Sequence, residues 1–429
     1  MSDLSGIELQ NPAPTKNVAR VDVPAQVLLD LLLRRLLLDG ESNILEMSDR
    51  LGLSNTIVDN LVTNLNDRRL INALVGDGRN RRFELTEDGR NTATDRTDRC
   101  TYAGIAPVSL GEYRATVSNQ RIVRPVSRDL LRKSMADLVL DETLLDQLGP
   151  SLNSTGAVFL YGPPGTGKTS LAERMIRVHN DPVLVPHAVE VDGQIITVFD
   201  PVVHELYPNA GEVDDHRWAV CKRPCVVAGG ELTSTMLDLS HDQTSGISTA
   251  PLQMKANNGI MVVDDFGRQL MTPEELLNRW IVPLGSRIDY LALNSGFKFS
   301  VPFEVNVVFS TNLDPGKLGD EAFFRRIQNK IFVGPITEQV FDWILSRVAA
   351  ALELPATQEA AQYMRHLCRT KGDKDLRPYQ PKELCQMLKA VCAYEGAPPQ
   401  MSREFLDRAA ELYFAEDFSG AKLDFHDDL

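Results

Sequence analysis

The stretch Ala157-Val158-Phe159-Leu160-Tyr161-Gly162-Pro163-Pro164-Gly165-Thr166-Gly167-Lys168-Thr169 decides how the rest of the chain is read. Ala157 to Tyr161 is a short apolar run of strand type, and a helical run, Ser170 to Val178, follows the turn. Between them lies G-x-x-x-x-G-K-[ST] in the strand–turn–helix setting that gives this pattern its meaning. Glycines let successive backbone N–H groups turn inward around a phosphate. The helix that follows aims its positive dipole end at the same anion. The pattern assigns nucleotide contacts to Gly162, Pro163, Pro164, Gly165, Thr166, Gly167, Lys168, Thr169 and Ser170. Lys168 would reach the β and γ oxygens, and the Thr169 hydroxyl would join a Mg²⁺ shell. ATP and Mg are therefore the expected cofactors.

A phosphate loop needs a second strand to hold the metal. Ile260-Met261-Val262-Val263-Asp264-Asp265 fits a buried parallel strand ending in paired carboxylates. Ligands in such sheets sit at the carboxyl ends of the strands. Asp264 is then the metal ligand with Thr169, and Asp265 the group that polarises water. A third apolar strand, Val305 to Phe309, ends in Ser310-Thr311-Asn312. Asn312 could reach the γ-phosphate or the lytic water from between the other two strands, although Thr-Asn after a strand is often only a turn. Asp320 to Ile327 then carries the pair Arg325-Arg326, which alone reads as a solvated helix face.

In this order, GPPGTGKT, IMVVDD, VFSTNL and DEAFFRRI resemble Walker A, Walker B, sensor 1 and the arginine-finger segment of the AAA+ ATPase family. The run Leu277 to Ile281 looks like the family helix between Walker B and sensor 1. EAFFRRIQNKI looks most like the MoxR-like and related bacterial branches. The resemblance spans roughly residues 125–415. It implies that Arg326, with Arg325 second, is a finger completing a neighbour's site, and hence a ring-forming homo-oligomer, commonly a hexamer. It implies a helical lid as well. Four helical patterns fit one, over 338–354, 357–369, 381–394 and 403–414. Lys382, at the start of the third, matches sensor 2, with Arg377 as the alternative. Two departures stand out: Walker B is Asp-Asp where Asp-Glu is usual, and Asp264 lies 96 positions after Lys168. In that long segment 183–199 alternates like a hairpin about Asp192-Gly193, His216 is a lone histidine, and no aromatic-glycine pore loop is evident.

Upstream, helical patterns over 25–38, 42–51 and 54–69 precede strand-like runs 71–75 and 81–85 around Gly76-Asp77-Gly78. This resembles a winged helix-turn-helix. DNA binding and protein docking both remain open. Asn55 to Asn66 of the third helix holds no Lys or Arg, whereas Arg68, Arg69, Arg79, Arg81 and Arg82 cluster near the wing. Residues 25–90 hold nine basic and eleven acidic side chains.

The chain of 429 residues carries 45 basic and 59 acidic side chains, a net charge of −14. Such a balance disfavours coating nucleic acid or anionic membrane through bulk charge. No run is long and apolar enough for a membrane span, no secretory leader is evident, and six scattered cysteines suit a reducing cytoplasm. Cys221 and Cys225 could belong to a zinc site or be plain thiols. The expected architecture is α/β: a loose leader (1–22), a winged-helix-like domain (23–92), a linker (93–125), a parallel-sheet AAA+ core (126–336), a helical lid (337–416) and an acidic tail (417–429). The function this implies is ATP-driven remodelling of a protein partner or complex. The alternatives are a DNA-associated or transcriptional regulator with the AAA+ module as nucleotide switch, and a small-molecule P-loop kinase, which would leave the finger and lid unexplained.

Overall fold

The computed structural model describes residues 21–74, 82–122, 125–154, 156–208, 213–314, 327–372 and 374–414. Near the N-terminus, α1 (Ala25–Asp39) buries Leu28, Leu29, Leu31, Leu32, Leu33 and Leu36. Strand β1 (Glu41–Asn43) leads into α2 (Ile44–Leu51), where the Asn43 side chain accepts from the Glu46 N–H at 2.9 Å and caps the helix. Helix α3 (Asn55–Asp67) and strands β2 (Ile71–Ala73) and β3 (Arg82–Leu85) complete a three-stranded antiparallel sheet in the order β1-β3-β2. The three helices and two strands expected here are present, with a third strand from Glu41–Asn43. The turn Gly76–Gly78 and wing residues Arg79 and Arg81 lie outside the described residues.

The segment expected as a linker, 93–125, is not one. Helix α4 (Glu87–Arg99) packs along α1 and is tied to it by Arg34 Nη1 donating to the Cys100 carbonyl at 2.8 Å. Its buried residues are only Gly89 and Ala93, so the apolar signal that marks an amphipathic helix is missing. Strand β4 (Val108–Ser109) and helix α5 (Leu110–Asn119) follow, opened by a Ser109–Glu112 capping box and anchored by buried Tyr113 and Val117. Helices α6 (Arg128–Ser134) and α7 (Glu142–Asn153) form next, each with its own cap, Ser127 and Asp141.

Strand β5 (Val158–Tyr161) and helix α8 (Lys168–Met175) flank the glycine-rich turn. The long segment before Asp264 then builds β6 (Val183–Pro186), β7 (Ala188–Val191), β8 (Gln194–Thr197), β9 (Trp218–Cys221), β10 (Cys225–Ala228), β11 (Ser240–Asp242), β12 (Ile247–Thr249) and α9 (Leu252–Lys255). The β7–β8 hairpin turns at Asp192-Gly193 as the alternation predicts, both residues having positive φ. Strand β13 (Ile260–Val263), helix α10 (Pro273–Ser286), the hairpin β14 (Ile288–Ala292)–β15 (Lys298–Pro302), β16 (Asn306–Thr311) and β17 (Asn329–Phe332) follow.

Five strands form the parallel sheet, in the order β10-β13-β16-β5-β17. Their period-2 alternation feeds two cores. Val158, Leu160, Val262 and Val308 face α7 and α8 with Leu145, Leu148, Leu171 and Met175. Phe159, Met261, Val263 and Phe309 face the other side with Phe266 and with Trp280 of α10. A second sheet, β11-β12-β8-β7-β4, packs with α5 and the β14–β15 hairpin. It also holds the N-terminal unit: Ala188 and Ile195 belong to that unit's core, and Gly52 lies against the His216 backbone, where a methyl would come within 3.1 Å. The lid patterns appear as α11 (Glu338–Leu352), α12 (Gln358–Lys371), α13 (Gln380–Tyr394) and α14 (Arg403–Tyr413), around one apolar core. Among the described residues no helix is long and apolar enough to cross a membrane.

Candidate nucleotide site

The turn after β5 is held by three glycines in conformations that disfavour side chains. Gly162, Gly165 and Gly167 have φ of 148°, 74° and 89°. At Gly162 a methyl would also lie 2.2 Å from the Val333 carbonyl oxygen. Pro163 and Pro164 carry no N–H, so the loop's backbone donors are those of Gly165 through Thr169. The proline-side carbonyls are used by cations instead. Lys168 Nζ donates to Gly162 O at 3.0 Å and Pro163 O at 2.7 Å, and Arg377 Nη1 donates to Pro164 O at 2.7 Å. Thr166 closes the turn by donating its hydroxyl to Pro163 O at 3.1 Å.

Lys168 is only 5% exposed. Burial pulls its ammonium down to about 8, Arg377 adds to the fall, and Asp264 and Asp265 oppose it. The loop thus presents a positive charge at the N-terminus of α8, in surroundings that strain it until an anion arrives.

Strands β5, β16 and β13 are neighbours, so their carboxyl ends bring distant residues together. The Thr169 hydroxyl lies 2.9 Å from both Oδ1 and Oδ2 of Asp264, 95 positions away in sequence. Asn312, at the end of the middle strand, donates through Nδ2 to Asp265 Oδ1 at 3.0 Å. Asp265 has φ 48°, in the left-handed region a short polar side chain tolerates. Its turn is pinned: Gln269 Nε2 donates to Asp264 O at 2.7 Å, Gly267 N–H donates to Gln269 Oε1 at 2.8 Å, and the Thr311 hydroxyl donates to Phe266 O at 2.7 Å. Gln269 had no signal in the sequence, because only the folded turn brings its amide back to Asp264.

Lys168, Thr169, Asp264, Asp265 and Asn312 open on one cleft of about 930 Å³ between the sheet domain and the C-terminal helices. Its polar end holds Lys168, Thr169, Ser170, Asp264, Asp265 and Asn312; its apolar end holds Leu138, Leu140, Ile336, Val340, Ile344 and Val348. Lys382 and Glu383 border it from the lid. Of the two sensor-2 candidates, Arg377 touches the loop and is 7% exposed, whereas Lys382 lines the cleft from an exposed position. Arg325 and Arg326 lie outside the described residues. Cys221 and Cys225 are free, and burial pushes their thiols up to about 12 and about 11, the direction opposite to a metal thiolate. His216 is exposed.

Comparison with known proteins gives limited matches. A family described as a domain of unknown function (DUF8689) matches residues 337–412, the stretch of helices α11 to α14. Over 89 residues the chain is 30% identical to a protein described as a 26S proteasome regulatory subunit homolog from Methanocaldococcus jannaschii; the match covers 21% of this chain and 22% of that relative's length. Among solved structures, a T158V variant of RuvB from Thermotoga maritima matches with TM-score 0.39 and 16% identity, over 66% of this chain and 73% of that one. NtrX from Brucella abortus in complex with ADP matches with TM-score 0.41 and 12% identity, over 74% of this chain and 64% of that one. What the chain itself displays is an α/β core whose phosphate loop opens at the carboxyl edge of a five-stranded parallel sheet.

Proposed function

We propose that this protein is a Mg-dependent ATPase of the AAA+ type. The observation that carries the reading is the meeting of the Thr169 hydroxyl and the Asp264 carboxylate, beside a buried Lys168 and an Asn312-held Asp265. An oxygen-only pair of carboxylate and hydroxyl at the loop suits a hard cation, so Thr169 and Asp264 would hold magnesium. Bound there, magnesium would supply charge neutralisation on the phosphate oxygens. Backbone donors of Gly165 to Thr169 would cradle the phosphates, and the Lys168 ammonium would leave its two loop carbonyls for phosphoryl oxygens. Asp265, oriented by Asn312, would accept a proton as water attacks the γ-phosphorus and the bond to the β-bridging oxygen breaks, giving ADP and phosphate. The apolar end of the cleft would bury the adenine ring.

The further reading is a cytoplasmic homo-oligomer, a ring and commonly a hexamer, with Arg326 or Arg325 reaching a neighbour's γ-phosphate. Its likeness to the MoxR-like branch rests on residues 321–331 alone. The cleft lies between core and lid, so nucleotide turnover would change their angle and remodel a bound protein partner. DNA is the alternative partner. The exposed side chains of α3, including Thr56, Asp59, Asn60 and Thr63, carry no positive charge, and Arg82 is engaged by Glu41 and Glu46. That favours the protein partner. The test is ATP turnover by the full chain and its Lys168→Ala variant, which should lose binding or turnover. Unchanged turnover would refute the site, and duplex-DNA binding that weakens with salt would restore the DNA reading.

A further inference from the structure

Arg377, Pro378 and Tyr379 reach the phosphate loop, and the nucleotide chemistry above gives them no role. Three consecutive lid residues lie along the loop's backbone. Arg377 bonds Pro164 O, Pro378 borders Gly167, and the Tyr379 ring covers Gly165. A methyl on Gly165 would sit 2.1 Å from Tyr379 Cε1 and 2.6 Å from Cδ1. Real carbon atoms do not approach so closely, so Gly165 lacks a side chain partly because the ring occupies that space. The ring is placed by its backbone. Its backbone opens α13, where the Arg377 N–H donates to Gln380 Oε1 at 2.8 Å, and Gln380 is 2% exposed. Tyr413, at the end of α14, lies near the ring.

We infer that Tyr379 is a positioning residue for nucleotide binding: its ring holds Gly165 in the left-handed conformation and so keeps the phosphate loop open for the anion. The inference rests on the ATPase reading and deepens it. Gly165 has no side chain of its own to restrict it, and an uncovered loop would sample collapsed conformations whose ordering weakens binding. The ring removes that freedom before the nucleotide arrives.

The test uses the full chain with wild type, Tyr379→Phe, Tyr379→Ala, Gly165→Ala and the Gly165→Ala/Tyr379→Ala double variant. Binding of a fluorescent ATP analogue, ATP turnover and thermal unfolding without nucleotide are measured for each. Tyr379→Ala should raise the Kd and KM for ATP by roughly tenfold with a smaller change in kcat, as expected for lost preorganisation. Tyr379→Phe keeps the ring and should bind within about twofold of wild type. Gly165→Ala should weaken binding, and removing the ring in the double variant should restore it toward the Tyr379→Ala value. A double variant that binds no better than Gly165→Ala, or a Tyr379→Ala protein that loses thermal stability with KM unchanged, would overturn the inference. If wild type binds no nucleotide, the ATPase reading fails instead, and the clash between residues 165 and 379 is still read from the unfolding midpoints: recovery of the midpoint in the double variant supports ring–loop packing, and no recovery overturns it.

Discussion

Raising the pH should weaken nucleotide binding through Lys168 alone, in a range where an ordinary lysine would do nothing. In the free protein burial holds its ammonium down to about 8, against an ordinary 10.5. A bound triphosphate places several negative charges beside it and favours the charged form, so the complex holds the proton throughout. The apparent Kd then scales with 1 + 10^(pH − 8), which rises about tenfold between pH 7 and pH 9, or about 1.4 kcal/mol. At the ordinary value the same interval changes Kd by only about 3%. The assay is a titration with a fluorescent ATP analogue at constant ionic strength and fixed magnesium, above the pH where the terminal phosphate itself protonates. A Kd constant within about twofold from pH 7 to pH 9 would refute the argument. If Lys168→Arg retains binding, its guanidinium stays charged and the dependence should disappear. Stability runs in the opposite direction. With the folded value depressed, the unfolded chain binds more protons between about pH 8 and 10.5, so this group's contribution to stability rises with pH across that window.

Three further outcomes are expected. Asp265→Asn should bind ATP normally and lose roughly 10²–10⁴-fold in turnover, measured by phosphate release; a smaller loss would remove Asp265 from the role of base. Arg377→Ala frees Pro164 O and should raise the KM for ATP several-fold more than Lys382→Ala does; the reverse order in steady-state kinetics would return the sensor role to Lys382. If Arg326 acts on a neighbour's site, mixing Arg326→Ala with Lys168→Ala subunits should recover part of the lost ATPase rate, whereas strictly additive inactivity at every ratio would show that each chain works alone.

Much of this site was legible because its signals are local. The eight residues Gly162 to Thr169 specify their own backbone, since the positive-φ glycines, the proline-blocked donors and the helix start all lie within one loop. The apolar runs ending in Asp264-Asp265 and in Thr311-Asn312 announce strand ends, and lid helices with clear 3.6-residue periodicity fell within a few residues of their expected bounds. Helix α4 escaped because small residues, Gly89 and Ala93, form its buried face and carry almost no hydrophobic signal. The 93–125 linker failed for a related reason: β4 is two residues long and exists only by pairing with β7, some 80 positions later.

By itself, then, the sequence determined which residues could meet a phosphate and a metal, because those residue types follow from the chemistry of the ligand. Tertiary structure decided which of them meet. The order β10-β13-β16-β5-β17 brings Thr169 to Asp264 and Asn312 to Asp265, a choice made by side-chain packing on two faces of one sheet. The docking of the lid decided that Arg377 rather than Lys382 lies on the loop, and that Tyr379 covers Gly165. These approaches join residues some 50 to more than 200 positions apart, and no local pattern encodes them; they exist because burying the two cores leaves the chain that arrangement.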